Sequence, residues 1–227
     1  MTATSNHRSP LTNGPHQGQP VARAGVTPKE ADAAVILVHG RGASAGSMLE
    51  FAREFTADRI VYVAPQAAGH TWYPHSFLAP IEQNEPGLSS GLAVIGHIVE
   101  ALEQDGIPTE QIILLGFSQG ACLAGEFAAR NARRYGGVVM LSGGLIGQGG
   151  EAPFEYAPTS GQPLDGTPVF LGCSDIDAHI PLERVQASTQ VFNALGADVT
   201  ERIYPGMGHT VNMDEIAFVR TLLGSLQ

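Results

Sequence analysis

Basic residues, cysteines and long apolar runs are all scarce in this chain, and each shortage removes a class of function. Lys and Arg number 12 against 22 Asp and Glu, a formal net charge of −10. Binding to nucleic acid or to an anionic membrane surface is therefore not expected, and a polyanionic substrate is disfavoured. The two cysteines, Cys122 and Cys173, sit in apolar stretches and read as buried thiols rather than a disulfide or a metal pair, which fits a cytoplasmic protein. No apolar run approaches the ~18 to 20 residues that span a bilayer, and no charged-then-apolar leader pattern opens the chain. The spacing of His70 and His75 matches no metal-site pattern, so neither a metal nor a cofactor is expected. No internal repeat is visible, and the oligomeric state, a homodimer included, is left open.

What is present is a chain of 227 residues, 43% hydrophobic and 15% charged, the size and composition of one α/β domain. Residues 1–16 are polar and rich in Pro and Gly and read as a disordered tail, leaving a single domain over 17–227. From there strand-like and helix-like segments alternate. Strands are expected at 21–25, 35–38, 59–64, 112–115, 138–141, 169–171 and 198–204. Helices are expected at 47–55, 92–104, after residue 118, at 182–195 and at 211–223. Segment 65–87 carries Trp72, Tyr73 and Phe77 without a clear period and reads as an ordered functional loop, and 142–166 reads as a second, Gly-rich loop. Continuous apolar strands separated by helices imply a mostly parallel sheet covered on both faces, with ligands at the carboxyl ends of its strands.

Three pentapeptides match G-x-S-x-G, centred on Ser44, Ser89 and Ser118. A serine nucleophile needs a strand ending at the first glycine and a helix starting at the serine. Only Ser118 has both: Ile112 to Leu115 run into Gly116-Phe117-Ser118-Gln119-Gly120 and then into a small-residue helix. Ser44 follows its strand too late and reads with Ser47 as a helix cap, and Ser89 or Ser90 reads as the cap of helix 92–104.

A serine hydroxyl also needs a base, and the base needs a carboxylate. His209 lies in the glycine-rich loop Tyr204-Pro205-Gly206-Met207-Gly208-His209, between a strand and a helix. Two aspartates follow the strand at 169–171. Asp177 is preferred as the partner because it lies four residues before Pro181, where a helix begins, while Asp175 suits a turn-shaping role. His179 reads as a wall or surface residue. The developing oxyanion needs donors, for which the backbone N–H groups of Gln119 and Arg41 are the candidates. Trp72, Tyr73, Phe77, Leu145 and Ile146 are candidates for a substrate pocket.

The segments Leu37-Val38-His39-Gly40-Arg41-Gly42, Ala64-Pro65 with Trp72-Tyr73, Gly116-Phe117-Ser118-Gln119-Gly120, Leu141-Ser142-Gly143, Asp177-Ala178-His179-Ile180-Pro181 and Gly206-Met207-Gly208-His209 resemble the carboxylesterase/phospholipase family of α/β-hydrolases, which includes acyl-protein thioesterases. The resemblance covers almost everything after the tail. It implies a nucleophile at Ser118, a carboxylate at Asp177, a base at His209, oxyanion amides at Arg41 and Gln119, and an open site without a large lid. The chain departs from that pattern at Arg41, where the family usually has an apolar residue, and at Ala43 and Pro74, where Asp is usual. The Arg41 side chain either binds a carboxylate or covers the rim. The expected activity is hydrolysis of carboxylic esters or thioesters through an acyl-enzyme. Alternatives are a lactone or small-amide hydrolase of the same fold, or a non-catalytic ligand-binding relative. Dienelactone hydrolases share the fold but use a cysteine nucleophile, and Cys122 lies a helical turn too far along to serve.

Overall fold

The computed structural model describes residues 14–148, 156 and 163–226. Seven strands form one sheet in the order β1-β3-β2-β4-β5-β6-β7. They are β1 Val21–Gly25, β2 Ala33–Val38, β3 Ile60–Pro65, β4 Ile112–Phe117, β5 Gly137–Leu141, β6 Pro168–Ser174 and β7 Asp198–Tyr204. The edge strand β1 runs antiparallel to β3, and every other pairing is parallel. Among the described residues five α-helices cover the sheet: α1 Ala45–Phe51, α2 Gly87–Gln104, α3 Gln119–Arg130, α4 Leu182–Ala194 and α5 Met213–Gly224.

Burial on both faces explains why the central strands are apolar without alternation. In β2, Ala34, Ile36 and Val38 enter the core shared with α2, α3 and α4, while Ala33, Val35 and Leu37 enter the core under α1 and α5. All six residues of β2 are fully buried. No separate lid domain stands over the carboxyl ends of the strands among the described residues.

Two expectations change. Helix α2 begins at Gly87, straight after Pro86, so Ser89 and Ser90 lie inside its first turns and do not cap it. Instead the Ser89 hydroxyl donates to Glu85 (2.6 Å), and the Ser90 hydroxyl accepts the His16 N–H (3.0 Å). The second change concerns the tail. Residues 1–13 lie outside the described residues, but residues 14–16 join a turn closed by Gln17 N–H to the Gly14 carbonyl, and His16 is 3% exposed against Trp72. A polar segment is ordered here because the His16 ring satisfies backbone groups on both its nitrogens: Nε2 donates to the Trp72 carbonyl (2.7 Å) and Nδ1 accepts the Ala68 N–H (3.1 Å). Ser44, by contrast, caps α1 as expected, its hydroxyl accepting the Ser47 N–H at 3.1 Å. Of the loop expected at 142–166, the part over 149–155 and 157–162 lies outside the described residues.

Candidate active site

At the end of β4 the chain reverses through Ser118 with φ 55° and ψ −122° and enters α3 without an intervening loop. That conformation is costly for a residue with a side chain, about 1–3 kcal/mol, and persists only where neighbours over-determine it. They do so through close backbone packing. A methyl group on Gly120 would stand 2.1 Å from the Val38 carbonyl oxygen, and one on Gly116 would stand 2.2 Å from that of Gly120. The Ser118 N–H is spent on the Leu141 carbonyl (2.9 Å), which ties the turn to the neighbouring strand β5. The hydroxyl is left for a side-chain partner across the cleft.

The structure brings Ser118, His209 and Asp177 together although 91 and 32 positions separate the pairs. Ser118 Oγ lies 2.8 Å from His209 Nε2, and His209 Nδ1 lies 2.7 Å from Asp177 Oδ2. The carboxylate fixes the tautomer: Nδ1–H donates to Asp177, leaving Nε2 to accept the serine proton. The Asp177 side chain is wholly buried and that of His209 is 20% exposed. Burial pushes the Asp177 carboxyl upward, but hydrogen bonds from His209 and from the N–H groups of His179 (2.8 Å) and Ile180 (3.1 Å) outweigh it and hold the group below its ordinary range. Asp175 instead accepts the Gly206 N–H at 2.8 Å. The ring of Phe117 lies 5.0 Å from the His209 ring, and that of His179 meets it edge-on at 4.8 Å.

The loop after β2 lies against the turn at Ser118, where a Cβ on Gly40 would fall 3.4 Å from Ser118 Cβ. The backbone N–H groups of Arg41 and Gln119 donate to no other described residue. The cleft holds about 650 Å³ and is lined by Ser118 and His209 with Arg41, Tyr73, Phe77 and His179 among its walls. Cys122 also reaches it, but burial pushes that thiol up to about 12, so it stays protonated and a poor nucleophile at neutral pH.

Three of the five expected pocket residues do not line this cleft. Trp72 is fully buried behind it, its Nε1–H bonded to the His39 carbonyl (2.9 Å) and its ring between those of His16 and His39. Leu145 and Ile146 are also fully buried, because the chain after β5 is drawn inward. Arg184 holds the Leu145 carbonyl (3.1 Å), Ser188 Oγ accepts the Leu145 N–H (2.9 Å), and Glu126 accepts the Ile146 N–H (2.9 Å). Tyr73 and Phe77 do line the cleft.

The site is braced by side chains whose partners the sequence does not reveal. The Gln119 amide accepts the Trp72 N–H and donates to the Tyr73 carbonyl, both at 2.9 Å, and Arg41 donates to the carbonyls of Pro74 (3.0 Å) and His75 (2.7 Å). His39 donates from Nδ1 to the Gly40 carbonyl (2.8 Å) and accepts the Ala67 N–H at Nε2 (3.0 Å). Polar residues at fixed places in the motifs were the available signal, but a motif does not say what a side chain holds. Among the described residues, no cluster of three or more His, Cys, Asp or Glu could hold a metal ion.

The sequence profile of the phospholipase/carboxylesterase family matches residues 23–226. Acyl-protein thioesterase 1 of Debaryomyces hansenii is 28% identical over 222 residues, covering 87% of this chain and 93% of its own. That of Gibberella zeae is 26% identical over 212 residues, covering 84% and 89%. Among solved structures, a phospholipase/carboxylesterase from Dyadobacter fermentans is 41% identical and superposes with a TM-score of 0.83 over 90% of this chain and 96% of its own. With the family matched over nearly the whole domain, the chain belongs to the phospholipase/carboxylesterase family of α/β-hydrolases and is a carboxylic ester hydrolase.

Proposed function

We propose that this hydrolase cleaves carboxylic esters and thioesters through a covalent acyl-enzyme on Ser118, without a cofactor. The observation that carries the reading is the unbroken chain of hydrogen bonds from Ser118 Oγ through His209 to Asp177, at 2.8 and 2.7 Å. As Ser118 Oγ bonds to the acyl carbon, its proton passes to His209 Nε2, and buried Asp177 stabilises the imidazolium. The backbone N–H groups of Arg41 and Gln119 receive the oxyanion, each worth roughly 3–4 kcal/mol, and the positive end of α3 assists. Collapse breaks the bond to the alcohol or thiol, which takes the proton from His209. Water then attacks the acyl carbon, gives its proton to His209, and the free acid leaves as that proton returns to Ser118.

Tyr73 and Phe77 supply the apolar wall against which the acyl group packs. Thioesters are included because the relatives from Debaryomyces and Gibberella are acyl-protein thioesterases. A fluorophosphonate probe tests the mechanism: the wild type is expected to be labelled once, at Ser118, and Ser118→Ala not at all. An unlabelled wild type, or labelling that survives Ser118→Ala, rejects it.

A further inference from the structure

Among the described residues lining the cleft, Arg41 carries the one permanent charge. None of them is Asp or Glu, and His75, His179 and His209 are the other ionisable nitrogen bases, in a chain whose net charge is −10. The guanidinium is fixed in place by carbonyls, with Nη1 donating to Pro74 (3.0 Å) and Nη2 to His75 (2.7 Å). Carbonyl acceptors orient a guanidinium without neutralising it. No carboxylate lies within ion-pair distance of Arg41 among the described residues. Its Nε–H and the second hydrogen on each terminal nitrogen have no partner among the described residues, and this exposed guanidinium keeps donors available to an anionic oxygen pair. The amino end of α3 adds positive potential to the same cleft, so an anion is drawn locally into a surface that repels it elsewhere.

We propose that the substrate carries an ionised carboxylate in addition to the ester or thioester bond that is cleaved, and that the Arg41 guanidinium binds it. The assignment rests on the hydrolase reading above and names its substrate class. The carboxylate is recognised and not consumed, so the atom balance of the hydrolysis is unchanged.

Two matched pairs of esters test it by pH-stat titration at neutral pH. Monoethyl succinate against ethyl butyrate places the charge on the acyl half, and acetoxyacetate against ethyl acetate places it on the leaving half. In one pair the charged member is expected to be favoured in kcat/KM by about 10- to 100-fold, the size of hydrogen bonds to a charged group. Which pair it is assigns the half. Arg41→Met is expected to bring that ratio close to one, Arg41→Lys to keep part of it, and added salt to lower it in the wild type. The ratio is the readout, since the Arg41 backbone also serves the oxyanion and absolute rates will move. Equal rates within both pairs for the wild type, or a preference that persists in Arg41→Met, overturns the assignment. Should that variant fail to fold, the wild-type ratio and its salt dependence decide alone. Fluorophosphonate labelling keeps the two ideas apart: a labelled wild type without charge preference rejects the carboxylate, whereas an unlabelled wild type rejects the hydrolase mechanism beneath it.

Discussion

Replacing Asp177 by Asn and, separately, Asp175 by Asn separates two carboxylates that stand two residues apart in one loop. Asp177 does two things: Oδ1 accepts the N–H groups of His179 and Ile180, and Oδ2 accepts His209 Nδ1–H. In Asp177→Asn the amide oxygen can keep the first role, so the loop should hold, with a stability loss below about 1 kcal/mol. The amide NH2 then faces His209 Nδ1 and forces that nitrogen to accept. The proton moves to Nε2, which can no longer take the proton of Ser118, and the imidazolium loses its counter-charge. Loss of tautomer and counter-charge together costs about 10,000-fold in kcat, ~5 kcal/mol of barrier. In Asp175→Asn the amide oxygen can still accept the Gly206 N–H, so only a charge is lost, and activity should stay within about 10-fold. The assay is kcat/KM on p-nitrophenyl butyrate, with thermal unfolding to confirm that both variants fold. Equal losses, or a larger loss in Asp175→Asn at unchanged thermal stability, would refute the assignment of Asp177.

Other perturbations have calculable signs. Gly120→Ala drives a methyl group into the Val38 carbonyl at 2.1 Å, where both partners are backbone; a loss of ~3 kcal/mol or more is expected, lowering the thermal midpoint by about 6–12 °C, whereas Gly42→Ala meets open space and costs only its positive φ. His16 and His39 are held neutral, their pKa values lowered first by burial, so the unfolded chain binds protons that the folded one refuses. The two together should cost up to ~2.7 kcal/mol of stability per pH unit as pH drops below ~6.5, about half of it offset by the opposing Glu215, and a flat unfolding free energy from pH ~6.5 to ~5 with Glu215 replaced by Gln would contradict their buried, neutral state. Glu215 has the opposite sign: burial raises it to about 7, so its contribution is present below its unfolded value near 4.5 and is lost as pH rises through about 7. Glu215→Gln keeps an acceptor for the Asn212 N–H and should stabilise the protein by on the order of 2–3 kcal/mol more at pH ~8 than at pH ~4, which denaturant titrations at the two pH values would measure.

What the sequence revealed and what it hid divide along a physical line. Strands buried on both faces and the turn at Ser118 were legible because local sequence carries them: a continuous apolar run, glycines at fixed offsets, a small-residue helix. The start of α2 was not, since Gly87 and Gly91 look like turn residues. Their function is tertiary: a Cβ on Gly87 would lie 2.6 Å from the Trp72 carbonyl oxygen, and one on Gly91 3.0 Å from Leu123 Cδ2. Leu145 and Ile146 lie in the core and not in the cleft for a related reason. Hydrophobicity says that a side chain leaves water, not which cavity it fills, and Arg184, Ser188 and Glu126, all distant in sequence, decide it. His16 was invisible because its partners Trp72 and Ala68 lie more than fifty positions away.

The segment over residues 72–76 shows how an irregular loop can serve as a rigid wall. A loop packed beside a cleft must satisfy its backbone polar groups without a ladder of its own. Three side chains do this here. Gln119 takes the Trp72 N–H and the Tyr73 carbonyl, Asn84 takes the His75 N–H (2.9 Å) and the Ser76 carbonyl (2.8 Å), and Arg41 takes the carbonyls of Pro74 and His75. Two of the three, Gln119 and Arg41, are also the residues whose own backbone N–H groups find no partner among the described residues. The cleft wall and the donors proposed for the oxyanion are thus set by the same two residues, so a shift of the loop moves both together. That coupling gives a physical reason for a glutamine directly after Ser118: an aliphatic residue would leave the N–H in place but release the wall, and a charged one would bury an unpaired ion.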